Sequence, residues 1–312
     1  MFSKCFFPLR FYFFLKFCLL EFDVFFFLIS KTFLICCNFR IVVEESFLYL
    51  FQTQMNIVNS NFENVLCNYF IESSADPDTN FSITLQNIYF NNLSSFYSLM
   101  SLYEINVNID NSTFQNILCD FFIYSFLNPN DNYSLILQNI YCTNLTSTWS
   151  LIYLIEINVN IANSIFEDSY CGADFIFYSA DPTNNYYFTL ESIYCNNVTA
   201  SWALIYFNET DLKIINSTFE DNNCGSDLIV FFSEDSSTHS ITLQNITIER
   251  NNIYENAIGG YGGIIYLILD SFFFNQNIVS ASSAYQISQI FGGNISFLNS
   301  LVFTNNYDGT IL

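Results

Sequence analysis

The sequence predicts an all-β chain: a solenoid of about ten coils of short parallel strands, preceded by an apolar leader. Three observations predict it. One short motif recurs at near-constant spacing. Apolar and polar residues alternate within each copy. Beyond the leader, no helical periodicity appears.

The composition sets the frame. Of 312 residues, 52% are hydrophobic and only 12% charged, which excludes disorder as the main state. There are 38 Phe and 21 Tyr against 9 Gly and 4 Pro. The formal charge is −22, and a chain this acidic does not bind nucleic acid, whose phosphates need Lys and Arg. Five of the seven basic residues (Lys4, Arg10, Lys16, Lys31 and Arg40) precede residue 41. After it, 27 acidic residues face two basic ones, Lys213 and Arg250. This shift places a boundary between residues 40 and 56 and divides the chain into a Phe-rich leader, 1–43, and a repeat domain, 44–312.

The leader has three readings. A helix over residues 11–30 has the length to span a membrane but carries Lys16, Glu21 and Asp23. A cleaved signal would use Lys4 and Arg10 as its basic region and residues 11–20 as its apolar core. A third reading is an apolar helix that caps the body.

In the body, NIVNSNFENVLC (56–67) aligns with NIDNSTFQNILC (108–119), NIANSIFEDSYC (160–171) and KIINSTFEDNNC (213–224). A sister motif lies between these copies: ITLQNIYFNNLS (83–94), LILQNIYCTNLT (135–146), FTLESIYCNNVT (188–199) and ITLQNITIERNN (241–252). The anchors Asn59, Asn87, Asn111, Asn139, Asn163, Ser192, Asn216 and Asn245 are spaced alternately by 28 or 29 and by 24 residues. Weaker copies at Asp270 and Asn299 bring the total to about ten units. Ten coils at about 4.8 Å make a rod of about 48 Å.

Parity gives the strands. Val107 and Ile109 alternate with Asn106, Asn108 and Asp110, and the phase slips by one at Asn111. Such a slip is a tight corner, which Asn tolerates. The expectation is an inward ladder of Asn59, Asn87, Asn111, Asn139, Asn163, Asn216 and Asn245. Beside it runs a core stack of Phe62, Phe90, Phe114, Cys142, Phe166, Cys195 and Phe219.

An inward Asn at a two-strand corner resembles the ladder of right-handed parallel β-helices of the pectin-lyase-like superfamily. NNIYENAIGGYGGIIY (251–266), FNQN (274–277), FTNN (303–306) and IFGGNI (290–295) resemble polymorphic outer-membrane-protein repeats. The overall style is similar to repeat-rich transmembrane surface proteins of protists. The resemblance covers about residues 55–312. It implies a right-handed parallel β-helix, and many of that superfamily are polysaccharide lyases or glycosidases with clustered acids and a basic partner.

The residues argue against such chemistry here. Glu167–Asp168 and Glu220–Asp221 recur at one repeat position, and adjacent strand residues point to opposite faces, so a solvated acidic face is the favoured reading. His239, the only His, has no Cys or Ser motif near it. Cys67, Cys119, Cys171 and Cys224 recur every second coil, about 9.6 Å apart, too far to bridge one another. They and the core residues Cys142 and Cys195 are expected as free, buried thiols. The acidic loops 74–80, 126–132, 179–185 and 233–239 form a negative fringe, read as solvated ahead of a loose Ca²⁺ site. Tyr97, Trp149 and Trp202 align by repeat and are read as packing ahead of a sugar-stacking strip.

Ten N-x-S/T sequons occur. Six of them (Asn92, Asn111, Asn144, Asn197, Asn216 and Asn245) sit at corners that the inward ladder would bury. This leaves Asn80, Asn132, Asn208 and Asn294 as glycan acceptors. The C-terminus stops just after a coil motif, which suggests a fragment of a longer solenoid. The functional expectation is a non-enzymatic structural or adhesive protein without a cofactor, at the cell surface or secreted. Its leader would associate with the membrane, and a glycan or protein would be its ligand. The alternative is a carbohydrate-active enzyme of the same fold.

Overall fold

The structure is a computed structural model. It describes residues 26–29, 32–35, 41–42, 46–51, 54–74, 81–126, 133–181, 186–279, 288–290, 294–297 and 301–304. Over these residues the chain is a parallel β-solenoid of about eight turns, without a helix. The weak tenth copy at Asn299 lies outside the described residues. The copy at Asp270 is anchored one residue later: Gln244 pairs with Asp270, so the corner falls at Ser271.

Each coil lays strands on three parallel faces. The first face stacks Met55–Val58, Ser82–Gln86, Asn106–Asp110, Ser134–Gln138, Asn158–Ala162, Tyr187–Glu191 and Asp211–Ile215. The second includes Tyr89–Ser95, Thr113–Cys119 and Tyr141–Ser147. The third includes Tyr69–Ser74, Ser98–Leu102, Phe121–Phe126, Ile152–Ile155, Ile176–Ser179 and Ile205–Asn208. Further on, Ile229–Glu249 and Ile258–Asn275 run through the corners as unbroken strands.

The core follows from the register. Phe62, Phe90, Phe114, Cys142, Phe166, Cys195 and Phe219 form one buried column, each paired with the next. Phe62 stacks on Phe90 at 5.1 Å and Phe90 on Phe114 at 4.9 Å, nearly parallel. Phe70 and Phe122 meet this column edge-on from the third face, each 4.8 Å from its partner ring. Burying each ring contributes roughly 1.5–3 kcal/mol.

The corners fall where the parity predicts, but the asparagines face the other way. Asn59, Asn87, Asn111, Asn139, Asn163, Asn216 and Asn245 are all exposed, with φ between 48° and 54°. The inward ladder is therefore corrected to an outward one. A left-handed residue reverses the pleat, so two successive side chains point out and the next points in. In the coil at 109–114, Ile109, Ser112 and Phe114 are buried while Asn111 stands on the convex side. Asn is the L-residue that adopts this backbone at least cost. The exposed amides still bond along the rod. Asn87 Nδ2 donates to Asn59 Oδ1 at 2.9 Å, and Asn245 Nδ2 to Asn216 Oδ1 at 2.8 Å.

The same reversal recurs five residues on, at Asn64, Asn92, Asn116, Asn144, Asp168, Asn197, Asp221 and Arg250. Beneath several corners the following amide is carried into the core, where a polar side chain one coil up caps it. The amides of Ile88, Ile140 and Ile193 donate to the hydroxyls of Ser112, Ser164 and Ser217 at 3.1, 3.2 and 3.1 Å. At the second corner, Leu145 donates to Ser169 Oγ at 3.3 Å and Val198 to Asn222 Oδ1 at 2.9 Å. Asn222, Asn251 and Asn277 are buried there and continue as an internal asparagine ladder.

Of the leader, Phe26–Ile29 and Thr32–Ile35 form an antiparallel hairpin, and Phe33 pairs with Ile57 of the first face. Residues 26–29 are thus strand rather than the end of a helix over 11–30. Among the described residues no helix is long and apolar enough to cross a membrane. The signal reading and the remainder of the anchor reading fall on residues 1–25, outside those described.

Candidate binding edge

The corner between the second and third faces concentrates exposed aromatic surface. Tyr97, Trp149 and Trp202 are 51%, 59% and 64% exposed, so the packing expectation is corrected. The bend that carries them leaves the strand alternation, and the Tyr97 ring stacks on Tyr69 of the coil below at 5.3 Å.

Their backbones form a single column. The amide of Tyr97 donates to Asn68, Asp120 to Tyr97, Trp149 to Asp120, Ala173 to Trp149, Trp202 to Ala173 and Ser226 to Trp202, all between 2.7 and 3.2 Å. One residue per coil is therefore fixed, with a ring on every second coil. Two parallel spacings separate successive rings, about 9.6 Å. The column residues between the rings are Asp120 and Ala173, and Ser226 follows Trp202. Phe96, Leu118 and Tyr170 add exposed apolar surface alongside. Tyr170 Oη lies 3.3 Å from Ser201 Oγ, and Thr148 bonds to Asp120.

Buried groups fix the bend from below. Ser147 Oγ donates to the Trp149 carbonyl at 2.8 Å. Asp174 Oδ1 accepts from the Ala203 amide at 3.0 Å, and Asp227 Oδ1 from the Asn256 amide at 2.9 Å. Burial pushes the Asp174 carboxyl up to about 6 and also raises that of Asp227. At Gly172 a side chain would collide with the Thr148 carbonyl, and at Gly225 with the Ser201 carbonyl. Both glycines are required by the close approach of the coil beneath.

The outer side of the third face carries a second aromatic column. Tyr124, Tyr153, Phe177, Tyr206, Phe232 and Tyr261 stack in sequence with centroids 5.3, 4.5, 4.8, 5.3 and 5.0 Å apart. The readable signal was an aromatic after the inward isoleucine, at Ile123–Tyr124, Ile152–Tyr153, Ile176–Phe177 and Ile205–Tyr206.

The paired acids are placed differently from expectation. Glu167 and Asp168 both face outward, as do Glu220 and Asp221, because Asp168 and Asp221 are left-handed corner residues. Their charges are engaged. Arg250 forks onto Asp221 at 2.9 and 3.0 Å and reaches Glu220 and, at 3.3 Å, Glu249. Asn197 donates to Asp168 at 2.7 Å, and Tyr141 and Tyr194 donate to Glu167 and Glu220 at 3.0 and 2.7 Å. His239 Nε2 sits 2.8 Å from Oε2 of the buried Glu209, which also accepts from the Glu234 amide. That cluster pins the long third-to-first-face connection onto the tight turn one coil below.

The six body cysteines Cys67, Cys119, Cys142, Cys171, Cys195 and Cys224 are free and buried. Burial raises their thiols, to about 12 at Cys67 and Cys171. Among the described residues no group of three or more His, Cys, Asp or Glu is arranged to hold a metal. The acidic loops lie mostly outside the described residues, but Glu156, at a tight turn between two of them, has its carboxyl raised by burial and by Asp181. Asn80 and Asn132 also lie outside. Asn208 is half-buried and donates to Ser179 Oγ at 3.1 Å, and Asn294 begins the strand Asn294–Phe297. The corner sequons Asn92, Asn111, Asn144, Asn197, Asn216 and Asn245 are exposed, so the argument that burial excludes them falls with the inward ladder.

No protein-family model, curated protein or solved structure matches this chain.

Proposed function

We propose that the chain is a non-enzymatic structural or adhesive protein, secreted or held at the cell surface, whose solenoid displays a repeated binding edge. The observation that carries this reading is the exposed column of Tyr97, Trp149 and Trp202. Isolated exposed apolar side chains are ordinary, but an aligned, rigid set of large rings marks an interaction surface. The basic, Phe-rich leader supports membrane association, and the likeness to pectin-lyase-like β-helices and outer-membrane-protein repeats supports a surface role. The engaged carboxylates at Glu167, Asp168, Glu220 and Asp221 weigh against the glycosidase alternative, which needs a carboxylic acid and a carboxylate both free to act on a sugar.

The test immobilises the full chain on beads and scores retention on surfaces coated with glycans and matrix proteins. Retention that Trp149→Ala/Trp202→Ala abolishes is the expected result. Equal retention on coated and bare surfaces overturns the reading. So does release of reducing sugar that disappears in Glu167→Gln/Asp168→Asn/Glu220→Gln/Asp221→Asn.

A further inference from the structure

We infer that the aromatic edge takes an extended, neutral, β-linked polysaccharide, reading one disaccharide for every two coils. This rests on the adhesive reading above and names its ligand class.

The period comes first. The rings of Tyr97, Trp149 and Trp202 recur on alternate coils, about 9.6 Å apart, and span about 19 Å of a straight rod edge. In an extended β-1,4-linked chain, each sugar is turned over relative to the last. The same pyranose face therefore returns once per disaccharide, at a comparable distance. Each returning face presents axial C–H groups, which the negative face of an aromatic ring attracts. One straight polymer can lie along Trp149 and Trp202 without bending and reach Tyr97, one face of which is already stacked on Tyr69.

The residues between the rings fit the same ligand. Ala173, the column residue between Trp149 and Trp202, is small, so a sugar can bridge from one ring to the other over it, with Tyr170 alongside. Thr148, Ser201 and the Tyr170 hydroxyl flank the column and can bond sugar hydroxyls.

Charge selects among polysaccharides. The column carries Asp120, and its next position beyond Ser226 is Glu255. The body has only two basic residues, and Arg250 is engaged with Glu220, Asp221 and Glu249. Uronate or sulfated polymers would meet repulsion, with no basic residue among the described members of the column to offset it.

The backbone ladder makes the site rigid before the ligand arrives, so little ordering entropy is lost on binding. Three weak ring contacts on one chain then act as linked sites, and losing two of them lowers affinity far more than losing one.

The experiment measures depletion of the full-length protein from solution by microcrystalline cellulose and by β-chitin, with calcium pectate and alginate as acidic controls. The expected result is binding to at least one neutral polymer and to neither acidic one. Trp149→Ala/Trp202→Ala should weaken that binding at least tenfold, with circular dichroism and the unfolding midpoint unchanged. Trp149→Tyr/Trp202→Tyr should retain most of it. Wild type left in the supernatant by both neutral polymers overturns the inference, as does equal binding to pectate or undiminished binding by the double alanine variant. If the beads adhere through Trp149 and Trp202 while cellulose and chitin are ignored, the ligand class is wrong and the adhesive reading stands.

Discussion

Asn251 Oδ1 accepts two hydrogen bonds from Asn222, one from its backbone amide and one from its side chain, both at 2.9 Å. Both residues are buried, and Asn277 treats Asn251 in the same way, at 2.9 and 3.0 Å. The rod thus has two asparagine ladders: one exposed at the corners, and one inside that caps amides the corners have turned into the core.

These ladders differ in energetic weight. Asn251→Leu leaves the Asn222 amide buried without its acceptor and should cost about 1–3 kcal/mol. Asn245→Ala on the exposed ladder removes a solvated bond and should cost less, mostly the penalty of a left-handed Ala. Urea denaturation of the two variants measures the difference. A larger loss at Asn245 would contradict the assignment.

Asn139 holds φ 54° with its side chain in solvent. Asn139→Gly should leave stability nearly unchanged, because Gly adopts that backbone freely. Asn139→Val should lower it by about 1–2 kcal/mol, since a β-branched side chain resists the left-handed region. An inward, packed Asn139 would make Gly the damaging change instead.

Phe114 lies between Phe90 and Cys142 in the core column and meets Phe122 edge-on at 4.8 Å. Phe114→Ala should cost about 3–5 kcal/mol. Phe126→Ala on the exposed outer side of the neighbouring strand should cost under about 1 kcal/mol. Thermal or urea unfolding of both variants provides the comparison.

The Asp174 carboxyl is raised by burial to about 6, against 3.8 for a free one. Between about pH 4 and 6 the folded chain keeps a proton that the unfolded chain releases. Stability from this group is therefore fully present below pH 4 and lost as pH rises through 6, an effect of about 3 kcal/mol. Asp227 shifts in the same direction for the same cause. Asp174→Asn keeps an acceptor for the Ala203 amide and should flatten the decline, so that the variant is the more stable protein at pH 7. Denaturation midpoints across pH 4–7 check both the sign and the flattening.

Repeat length, strand parity and corner positions were legible because they rest on local rules. Alternation has a period of two, and Asn tolerates a left-handed backbone. The Phe62–Phe219 column followed from the same alignment. The side of the corner on which Asn111 lies was not legible, because a one-residue slip in phase fits either side. Trp149 and Trp202 were misjudged because they occupy a bend, where alternation gives no orientation and aromatic character argues for burial. Asn222, Asn251 and Asn277 were hidden for the opposite reason. They replace apolar residues such as Leu93, Ile117 and Leu145 in a core column, and only the buried amides beside them explain why.

Coil stacking in register underlies all of these expectations, and distances along one outward column test it most directly. Thr84, Asn108, Ile136, Asn160, Thr189, Lys213 and Thr242 lie one coil apart on the first face. Spin labels on unnatural side chains, which leave the native cysteines alone, can be placed at Thr84 together with Thr189, Lys213 or Thr242. Double electron–electron resonance should return distances near 19, 24 and 29 Å, rising by about 4.8 Å per coil. Distances that fail to grow with each coil, or that shorten as hairpin pairing would require, would contradict the solenoid.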